Sequence, residues 1–425
     1  MLSETLLTPD QQAAVTRLYQ YDYTLLVAAT GVGKTVICLT AIKELIQMGH
    51  LTRVMIAVPA KVLENDVWGK EVEKWAHLEG IRVRNLVGAP HNREAILTTI
   101  GVHVFVVSLN NLDWFLELHP KHEHGCDGII IDELSKAAGK QSKKLRSKKV
   151  SGIFKWRVGM TATPVSQNFE KLYPMCRIID GGAALGTNKQ KFMLEHFSSD
   201  YQGYNWTLRP GEDAKIMEKV ASLVHLVTDN KAMTLPALRE SVLKFAMPPE
   251  TREIYDEMKK HMVVGDIEAA NQAVKSGKLR QIASGFMYDD DDDSEGRVLD
   301  TARAVAVRQW LDGLSGRPGL VFYEYVHQGL SLSLRVPDNV MLAQINSMSH
   351  GVDGLQHVYA DVLFYHPMWS RDATEQAVGR VWRQGQTKPV TVTTLVCENT
   401  LDDLVMARVD DRAVWMKLFK QHLKG

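Results

Sequence analysis

The segment "YTLLVAATGVGKTVICLTAIKELI", residues 23–46, decides the fold class of this chain. It begins with a short apolar run, passes through a turn that contains Gly31 and Gly33, and continues as a helix-forming stretch. An apolar strand, a glycine-rich turn and a helix in this order are the context of a phosphate-binding loop, whose backbone N–H groups surround an anion. The segment therefore predicts a nucleotide-binding α/β domain. The alternative is an ordinary glycine turn in which Gly-Lys-Thr occurs by chance.

Each position of this loop has an expected chemical role. The ammonium group of Lys34 is expected to reach the terminal phosphates of a nucleoside triphosphate, and the Thr35 hydroxyl is expected to ligate Mg²⁺. The predicted nucleotide-binding residues of the loop are Thr30, Gly31, Val32, Gly33, Lys34 and Thr35.

Two glutamines precede the loop in "LTPDQQ", residues 7–12. A glutamine amide can bond both the N6 and the N7 atoms of adenine, so Gln11 is a candidate for binding the base of ATP. The same segment, with Thr8 followed by a proline, is also typical of a helix start. The sequence leaves both interpretations open.

A second candidate site lies in "GIIIDELS", residues 128–135, where an apolar run ends in Asp132 and Glu133. A carboxylate at the end of a strand beside a phosphate loop suits Mg²⁺, so Asp132 is a predicted metal ligand together with Thr35. The adjacent Glu133 suits activation of the attacking water. The alternative is an acidic helix N-terminus without catalytic function.

Apolar strand-like runs alternate with helix-length connections along most of the chain. A first set lies at 23–29, 53–58, 103–108, 128–132 and 157–163, and a second set lies at 318–324, 361–366 and 390–396. This alternation predicts parallel sheets with helices on both faces, which is the α/β class. The intervening region has helical periodicity, so the expected domains are 1–180, a mainly helical insertion and linker at 181–296, and 297–425.

Two charged runs interrupt this pattern. Residues 136–149 are rich in lysine and arginine, which fits either a solvated loop or a contact with phosphate groups. Residues 289–293 are all aspartate, which predicts a self-repelling linker between domains.

Composition limits the class of protein. The formal net charge is zero, so a nucleic-acid partner would require a local basic surface. The four cysteines have no paired spacing, which favours a reducing compartment over a disulfide framework. The start of the chain does not resemble a signal peptide, and no apolar run is long enough for a membrane span. We therefore expect a cytoplasmic protein, in a bacterial or virus-infected cell, without a membrane partner.

Further segments follow the phosphate loop and the acidic pair in a fixed order. They are a proline and a tryptophan-containing acidic stretch at 58–75, Thr-Ala-Thr-Pro at 161–164, a Leu-Pro pair before a strand and a tyrosine-bearing helix at 227–258, "HGVDGLQ" at 350–356 and "QAVGRVWRQGQ" at 376–386. This order resembles superfamily 2 helicase-like motors, and specifically the Swi/Snf-like branch of DNA translocases in a compact bacterial or phage-type form, over about residues 7–396. Three features depart from the branch: Ser135 and Trp382 stand where it has histidine, and the segment between 324 and 350 is short.

The resemblance implies two RecA-like domains in tandem and a DNA-dependent ATPase. It assigns catalytic roles to Lys34, Asp132 and Glu133 in the first domain and to Gln376, Arg380 and Arg383 in the second. A spacing of three places Arg380 and Arg383 on one side of a helical turn. Both would act as arginine fingers on the phosphoryl group. The alternative is a pair of surface salt bridges, each of which contributes little.

The resemblance further implies that the motor binds DNA through its phosphates, largely independently of sequence. By motif, the candidate DNA contacts are Lys61, Ser108, Leu109, Asn110, Gly354 and Gln356. The expected function is movement along double-stranded DNA coupled to ATP hydrolysis. The alternatives are a strand-separating DNA or RNA helicase and, from a different class, a DNA-binding scaffold whose ATPase activity has decayed. The sequence leaves protein partners open.

Overall fold

The computed structural model divides the chain into two compact units. The first unit is Met1–Asn230 with Arg412–Gly425, and the second unit is Lys231–Asp411. The structure describes residues 1–29, 31–118, 125–140, 152–165, 169–201, 206–227, 235–261, 263–264, 267–268, 272–289, 292–345, 354–369, 371–383, 385–407 and 419.

The first unit is built on a seven-stranded sheet in the order β3-β4-β2-β5-β6-β1-β9, and a separate two-stranded hairpin joins β7 and β8. Its strands are β1 (Tyr23–Ala28), β2 (Val54–Val58), β3 (Val83–Asn85), β4 (Val104–Ser108), β5 (Gly128–Ile131), β6 (Trp156–Thr161), β7 (Phe197–Ser199), β8 (Trp206–Leu208) and β9 (Val224–Val227). All neighbours in the seven-stranded sheet pair in parallel. Their carboxyl ends therefore meet at one edge.

Both faces of this sheet are buried, which explains why its strands are continuously apolar rather than alternating. Successive side chains of a strand point to opposite faces, so Leu26 of β1 packs into one core while Leu25 and Val27 pack into the other. Helices cover both faces. They are Pro9–Gln20, Lys34–Gln47, Ala60–Glu64, Val67–Lys74, Pro90–Leu97, Leu112–Leu118, Leu134–Lys140, Leu172–Ile179, Lys189–His196 and Glu212–Val220.

The second unit is built on a five-stranded parallel sheet in the order β10-β18-β17-β15-β16. Its strands and small hairpins are β10 (Leu238–Phe245), β11 (Val263–Val264), β12 (Ile267–Glu268), β13 (Phe286–Asp289), β14 (Asp292–Val298), β15 (Gly319–Tyr323), β16 (Val340–Gln344), β17 (Asp361–Phe364) and β18 (Val390–Cys397). Its helices include Pro249–His261, Gln272–Ala283, Ala302–Leu314, Val326–Ser333 and Arg371–Val381. Alternate residues of β15 again enter different cores, with Leu320 and Phe322 on one face and Val321 on the other.

These sheets confirm the predicted α/β class with two RecA-like parallel-sheet domains. Every strand predicted from an apolar run is present within one or two residues of its expected bounds. The segment between 324 and 350, which is short for the resembled branch, still forms the helix Val326–Ser333 and the edge strand β16.

The structure divides the chain differently from the three predicted segments. Residues 181–296 do not form a separate helical insertion, because β9 pairs with β1 in the first sheet and β10 pairs with β18 in the second. The boundary between the units lies at 230/231. Helical periodicity was a poor guide here, because short strands that complete a sheet are stabilised by pairing with distant strands rather than by local pattern.

The acidic run 289–293 also differs from its prediction as an interdomain linker. It connects β13 and β14, which pair antiparallel within the second unit. Phe286, Met287 and Tyr288 are buried, and Lys278 donates a hydrogen bond to the carbonyl of Tyr288 at 2.7 Å. Burial of these apolar side chains stabilises the hairpin despite the charge repulsion that the aspartates introduce.

Two expectations from composition bear on the described part of the chain. All four cysteines are free and buried. Among the described residues, no helix combines the length and the hydropathy that a membrane crossing requires.

Candidate nucleotide-binding and catalytic site

The candidate nucleotide-binding residues lie together at the carboxyl edge of the first sheet. The phosphate loop follows β1, and Asp132 and Glu133 follow β5. Only β6 separates these two strands. The parallel pairing of all three brings segments that are about a hundred residues apart in sequence to one edge. Thr30, a predicted member of the loop, lies outside the described residues.

The loop has the backbone conformation that an anion cradle requires. Gly31 and Gly33 have φ values of +87° and +89°, in the left-handed region that side chains other than glycine rarely adopt. Gly33 is constrained twice, because a Cβ atom there would lie 2.6 Å from the amide nitrogen of Gln11. The helix Lys34–Gln47 begins directly after it, so its N-terminal N–H groups point towards the place where phosphates would bind.

In this structure the side chain of Lys34 folds back onto the loop. Its Nζ donates to the carbonyl oxygens of Ala28 at 3.0 Å and Ala29 at 3.1 Å. An ammonium group has three donors on a flexible stem, so Lys34 can exchange these carbonyls for phosphate oxygens without rearrangement of the backbone.

Gln11 supports the loop and caps a helix. Its Oε1 accepts from the backbone N–H of Thr8 at 2.8 Å, and Thr8 caps the helix Pro9–Gln20 in return. Its Nε2 donates to the carbonyl of Val32 at 2.7 Å. The structure thus shows the helix-start alternative, with both ends of the amide engaged. Contact of Gln11 with adenine stays a prediction that requires the amide to exchange partners.

Asp132 has the donor chemistry expected of a magnesium ligand. Burial and the nearby charge of Glu133 together raise the pKa of the Asp132 carboxyl to about 6, and Lys34 opposes the rise. Below this pKa the carboxyl is mostly protonated and a poor ligand, whereas at neutral pH it is mostly ionised and carries its charge at a partly buried site. A carboxylate and a hydroxyl, from Asp132 and Thr35, suit Mg²⁺, which takes most of its remaining oxygen ligands from phosphates and water. These residues therefore fit the predicted ion.

We expect Asp132→Asn to stabilise the fold above pH 6 while it abolishes hydrolysis. The native carboxyl holds a proton between about pH 4 and pH 6 that the unfolded chain has lost, so the wild-type free energy of unfolding decreases as pH rises through this window. The amide of the variant carries no charge and lacks this penalty. It should therefore raise the free energy of unfolding by on the order of 1–2 kcal/mol at pH 7 and by little at pH 4. Urea denaturation at both pH values would measure the difference.

Asp127→Asn is the matched control for this prediction. Asp127 directly precedes β5, accepts from the backbone of Thr52 and pairs with Lys155 at 2.9 Å. Its replacement should not increase stability at neutral pH. Equal stability of wild type and Asp132→Asn at pH 7 would contradict the assigned environment of Asp132.

The backbone at Glu133 is strained. Its φ of +55° lies in the left-handed region, and its N–H donates to Asp132 Oδ1 at 3.0 Å. A residue with a side chain in this conformation costs on the order of 1 kcal/mol, and such strain is concentrated at functional sites. Ser135, two residues after Glu133, has a buried Oγ without a hydrogen-bond partner in the described part of the chain. The strained backbone supports a catalytic role for Glu133. The structure shows no contact of Ser135 that would replace the histidine of the resembled branch.

Several candidate DNA contacts share the same sheet edge. Lys61 lies in the short helix that follows β2. Ser108 ends β4, the neighbour of β2, and Leu109 and Asn110 follow it. Ser108 is buried, whereas Asn110 is exposed. Because β5 is the other neighbour of β2, these residues lie beside the nucleotide residues rather than among them. The basic run 136–149 lies outside the described residues beyond Lys140.

The predicted arginines lie in the second unit on the helix Arg371–Val381 and just after it. Arg380 is within the helix and Arg383 follows its last residue by two positions, so the expected single helical turn is not formed. The chain turns because Gly385 has a φ of +96° and Gln386 donates to the carbonyl of Val381 at 3.3 Å. Both arginines are partly buried, and Gln376 on the same helix is 8% exposed.

Trp382, which departs from the resembled motif, anchors this helix end. Its indole Nε1 donates to the carbonyl of Pro236 at 2.7 Å, and its ring packs against the hydrophobic core beneath this helix in the second unit. Histidine could supply the hydrogen bond but not the apolar area, so tryptophan is suited to this anchoring role.

The remaining candidate DNA contacts are Gly354 and Gln356. Gly354 has a φ of +89° and precedes the turn that contains Gln356.

Sequence reasoning missed three residues that hold the site. Gln386 was part of a quoted motif, but nothing in its neighbourhood showed that it would cap a helix. Arg280 and Arg303 are buried in the second unit and contact the segment that precedes the helix Arg371–Val381. Only their distant partners distinguish them from surface arginines.

Comparison with known proteins identified similar sequences and structures. The SNF2-related domain family matches residues 11–289. Protein p41 of Acyrthosiphon pisum secondary endosymbiont phage 1 is 25% identical over 98% of this chain and 98% of its own length. The RAD54-like DNA repair and recombination protein of Drosophila ananassae is 22% identical over 96% of this chain, which spans 62% of that protein. The solved SWI2/SNF2 ATPase core of Sulfolobus solfataricus in complex with dsDNA aligns at 17% identity and a TM-score of 0.48, over 96% of this chain and 92% of that chain.

The family match extends over well more than half of the chain and includes the phosphate loop and the acidic pair. It confirms the predicted Swi/Snf-like resemblance and, with it, the predicted enzyme class, a DNA-dependent ATPase. The chain therefore belongs to the SNF2-related domain family.

Proposed function

We propose that this ATPase couples hydrolysis of ATP to movement along double-stranded DNA, which it grips through phosphates without reading sequence. The observation that carries the proposal is the arrangement of the carboxyl edge of the first sheet. The ends of β1, β6 and β5 form the candidate nucleotide site, and the ends of β2 and β4 carry candidate DNA contacts beside it. A change at the nucleotide is then transmitted to DNA through neighbouring strands.

The residues divide the chemistry of hydrolysis among them. Backbone N–H groups of the loop and the ammonium group of Lys34 bind the phosphates. Glu133 orients the attacking water and takes up its proton. Thr35 and Asp132 would hold Mg²⁺, which would supply positive charge to the terminal phosphates. Arg380 and Arg383, supplied by the second unit, meet the charge that develops on the phosphoryl group as it transfers to water.

Arginines supplied by a separate unit make hydrolysis dependent on the arrangement of the two units, so each turnover is accompanied by relative motion. Such motion moves the motor along DNA only if both units contact the duplex. Lys61 and Asn110 in the first unit, and Gly354 and Gln356 in the second, are the proposed contacts. The RAD54-like relative, whose name is that of a DNA repair and recombination protein, supports a DNA partner for this chain.

We expect duplex DNA to stimulate ATP hydrolysis, and we expect the stimulation to weaken steeply with salt. The chain has no net charge, so its grip must come from local phosphate contacts, each of which releases counterions. Even two such contacts predict about a tenfold rise, between 50 and 200 mM salt, in the DNA concentration that gives half-maximal stimulation. Phosphate release measured against DNA concentration at both salt levels tests this, with duplexes of unrelated sequence as the control for sequence independence.

Two displacement assays separate movement along the duplex from strand separation. A translocase on duplex DNA should remove the third strand of a triplex but not a strand of the duplex itself. A helicase should release the labelled duplex strand. Equal phosphate release with and without every nucleic acid tested would contradict both and would favour a DNA-binding scaffold.

A further inference from the structure

A buried polar network lies at the carboxyl edge of the second sheet. Arg280 is 2% exposed, although it lies on a helix whose sequence gave it no special role. Its Nη2 atom lies 2.5 Å from His366 Nδ1, 2.5 Å from the carbonyl oxygen of Pro367 and 3.1 Å from Glu324 Oε2. Glu324 follows β15, and the His-Pro pair follows the adjacent strand β17. The network thus connects a helix to the ends of two strands.

A second buried arginine holds the same segment of chain. Arg303 is 1% exposed, pairs with Asp402 at 2.5 Å and donates to the carbonyl of Tyr365. Arg280 holds the carbonyl of Pro367, two residues further on. Residues 365–367, which follow β17, are therefore held by two guanidinium groups from distant parts of the chain.

The ring of His366 completes the arrangement. Burial lowers the pKa of His366 well below its usual value, and the charges of Arg280 and Arg303 lower it further, so the ring is neutral at physiological pH. Its Nδ1 accepts from Arg280, so Nε2 carries the ring proton, at 3.5 Å from Glu324 Oε2. Arg280 therefore forms an ion pair with the Glu324 carboxylate and donates hydrogen bonds to a ring nitrogen and a carbonyl oxygen.

Such a network contributes more to geometry than to stability. Desolvation of a buried ion pair offsets most of its attraction, and apolar side chains of similar volume often stabilise a core as well. What a guanidinium adds is a planar set of donors that fits only one arrangement of its acceptors. The segment that it holds leads directly into the helix that carries Gln376 and Arg380.

We propose that Arg280 is a positioning residue that fixes the helix Arg371–Val381 so that Arg380 is presented in one orientation for catalysis. The inference rests on the proposed role of Arg380 as an arginine finger. Arg280 itself touches no reacting group. It acts through the segment at His366 and Pro367, and a misplacement of about 1 Å at a catalytic group can cost about a hundredfold in rate.

Arg280→Met and Arg280→Lys test this proposal. We expect Arg280→Met to lower the DNA-stimulated kcat about a hundredfold with KM for ATP within about threefold, because ATP binding depends on the first unit. Lysine keeps the charge and one donor group, so Arg280→Lys should fold and lose only about tenfold. Arg252→Met is the matched control, because Arg252 bonds the carbonyls of Glu398 and Asn399 in the same unit but away from this helix. It should leave kcat nearly unchanged.

A double variant separates positioning from general damage. If Arg280 acts through Arg380, then Arg280→Met added to Arg380→Ala should lower kcat by less than about threefold further. A full additional hundredfold loss would overturn the proposal and indicate a structural role.

Hydrogen exchange tests positioning independently of catalysis. In Arg280→Met, or in Arg280→Lys if the first variant unfolds, amides of the helix Arg371–Val381 should exchange at least tenfold faster while those of β15 and β17 keep their protection. Unchanged exchange in this helix would overturn the proposal. If Arg380→Ala alone leaves hydrolysis unaffected while the helix still exchanges faster in the Arg280 variants, the finger role fails and the positioning of the helix stands.

Discussion

Arg380→Ala and Arg383→Ala should each lower DNA-stimulated ATP hydrolysis by about 10³–10⁵-fold, while the affinity for ATP changes little. The phosphate loop, Lys34 and the acidic pair all lie in the first unit, and we propose that they hold the nucleotide. The proposed role of the arginines is to add positive charge where negative charge develops in the transition state. Their removal therefore affects transition-state stabilisation rather than ground-state binding. Phosphate release and ATP titration on duplex DNA would measure both effects.

The two arginines should not be independent of each other. If both serve one closed arrangement of the enzyme, the double variant should lose less than the sum of the two single losses, expressed as free energies. The structure adds a reason to expect different single effects. Arg380 is held by the helix Arg371–Val381, whereas Arg383 lies in the turn beyond it, so we expect the larger loss from Arg380→Ala.

Arg317→Ala is the control for loss of an arginine from the second unit. Arg317 is 56% exposed and pairs with Asp361 at 3.0 Å, a surface ion pair of the kind that contributes little. Its replacement should leave hydrolysis unchanged. Because Val378 and Val381 pack in the core beneath the helix, thermal unfolding must first show that each variant is folded. A folded Arg380→Ala, Arg383→Ala double variant with the parent rate on duplex DNA would show that the arginines are not fingers.

Lys34→Ala should abolish hydrolysis, by at least about 10²–10³-fold, while binding to DNA largely survives. Lys34 is the only cation of the described phosphate loop, at residues 29 and 31–35, so no neighbouring loop side chain can replace its charge. Its replacement also leaves the carbonyls of Ala28 and Ala29 without the donor they have in this structure. The proposed DNA contacts follow other strands and should be unaffected. Phosphate release would measure the loss of hydrolysis, and filter binding of duplex DNA would measure whether DNA binding survives.

Glu133→Gln should separate binding from chemistry. The amide keeps the size of the side chain but cannot take up a proton, and Asp132 remains available for Mg²⁺, so the variant should bind ATP without turnover.

Lys43→Met is the control for the loss of a lysine in Lys34→Ala. Lys43 lies towards the other end of the same helix and donates to the carbonyl of His77 instead of to the loop. Turnover near the parent rate in Lys34→Ala or Glu133→Gln would remove the basis of the site assignment.

The strands that could be predicted are those whose signal is local. β1, β2 and β5 are continuous apolar runs bounded by turn residues, and the sheet buries both of their faces. β3, β9 and β16 were not predicted from apolar runs. Each lies at an edge of its sheet, where one neighbour is missing and the apolar signal is weaker. The residues 181–296 were misassigned for the same reason, because pairing of β9 and β10 with distant strands decides to which unit they belong.

The sequence by itself determined the elements whose chemistry depends on a few adjacent residues. These are the glycine turn before Lys34, the acidic pair after an apolar strand, and the order of motifs that indicates a DNA-dependent ATPase. Tertiary structure alone decided what each polar side chain does. Gln11 bonds Val32, 21 residues away, and Arg280 bonds Pro367, 87 residues away. The physical reason is that backbone conformation is set largely by local sterics and pattern. Burial and charge state depend on which distant groups the fold places around a side chain.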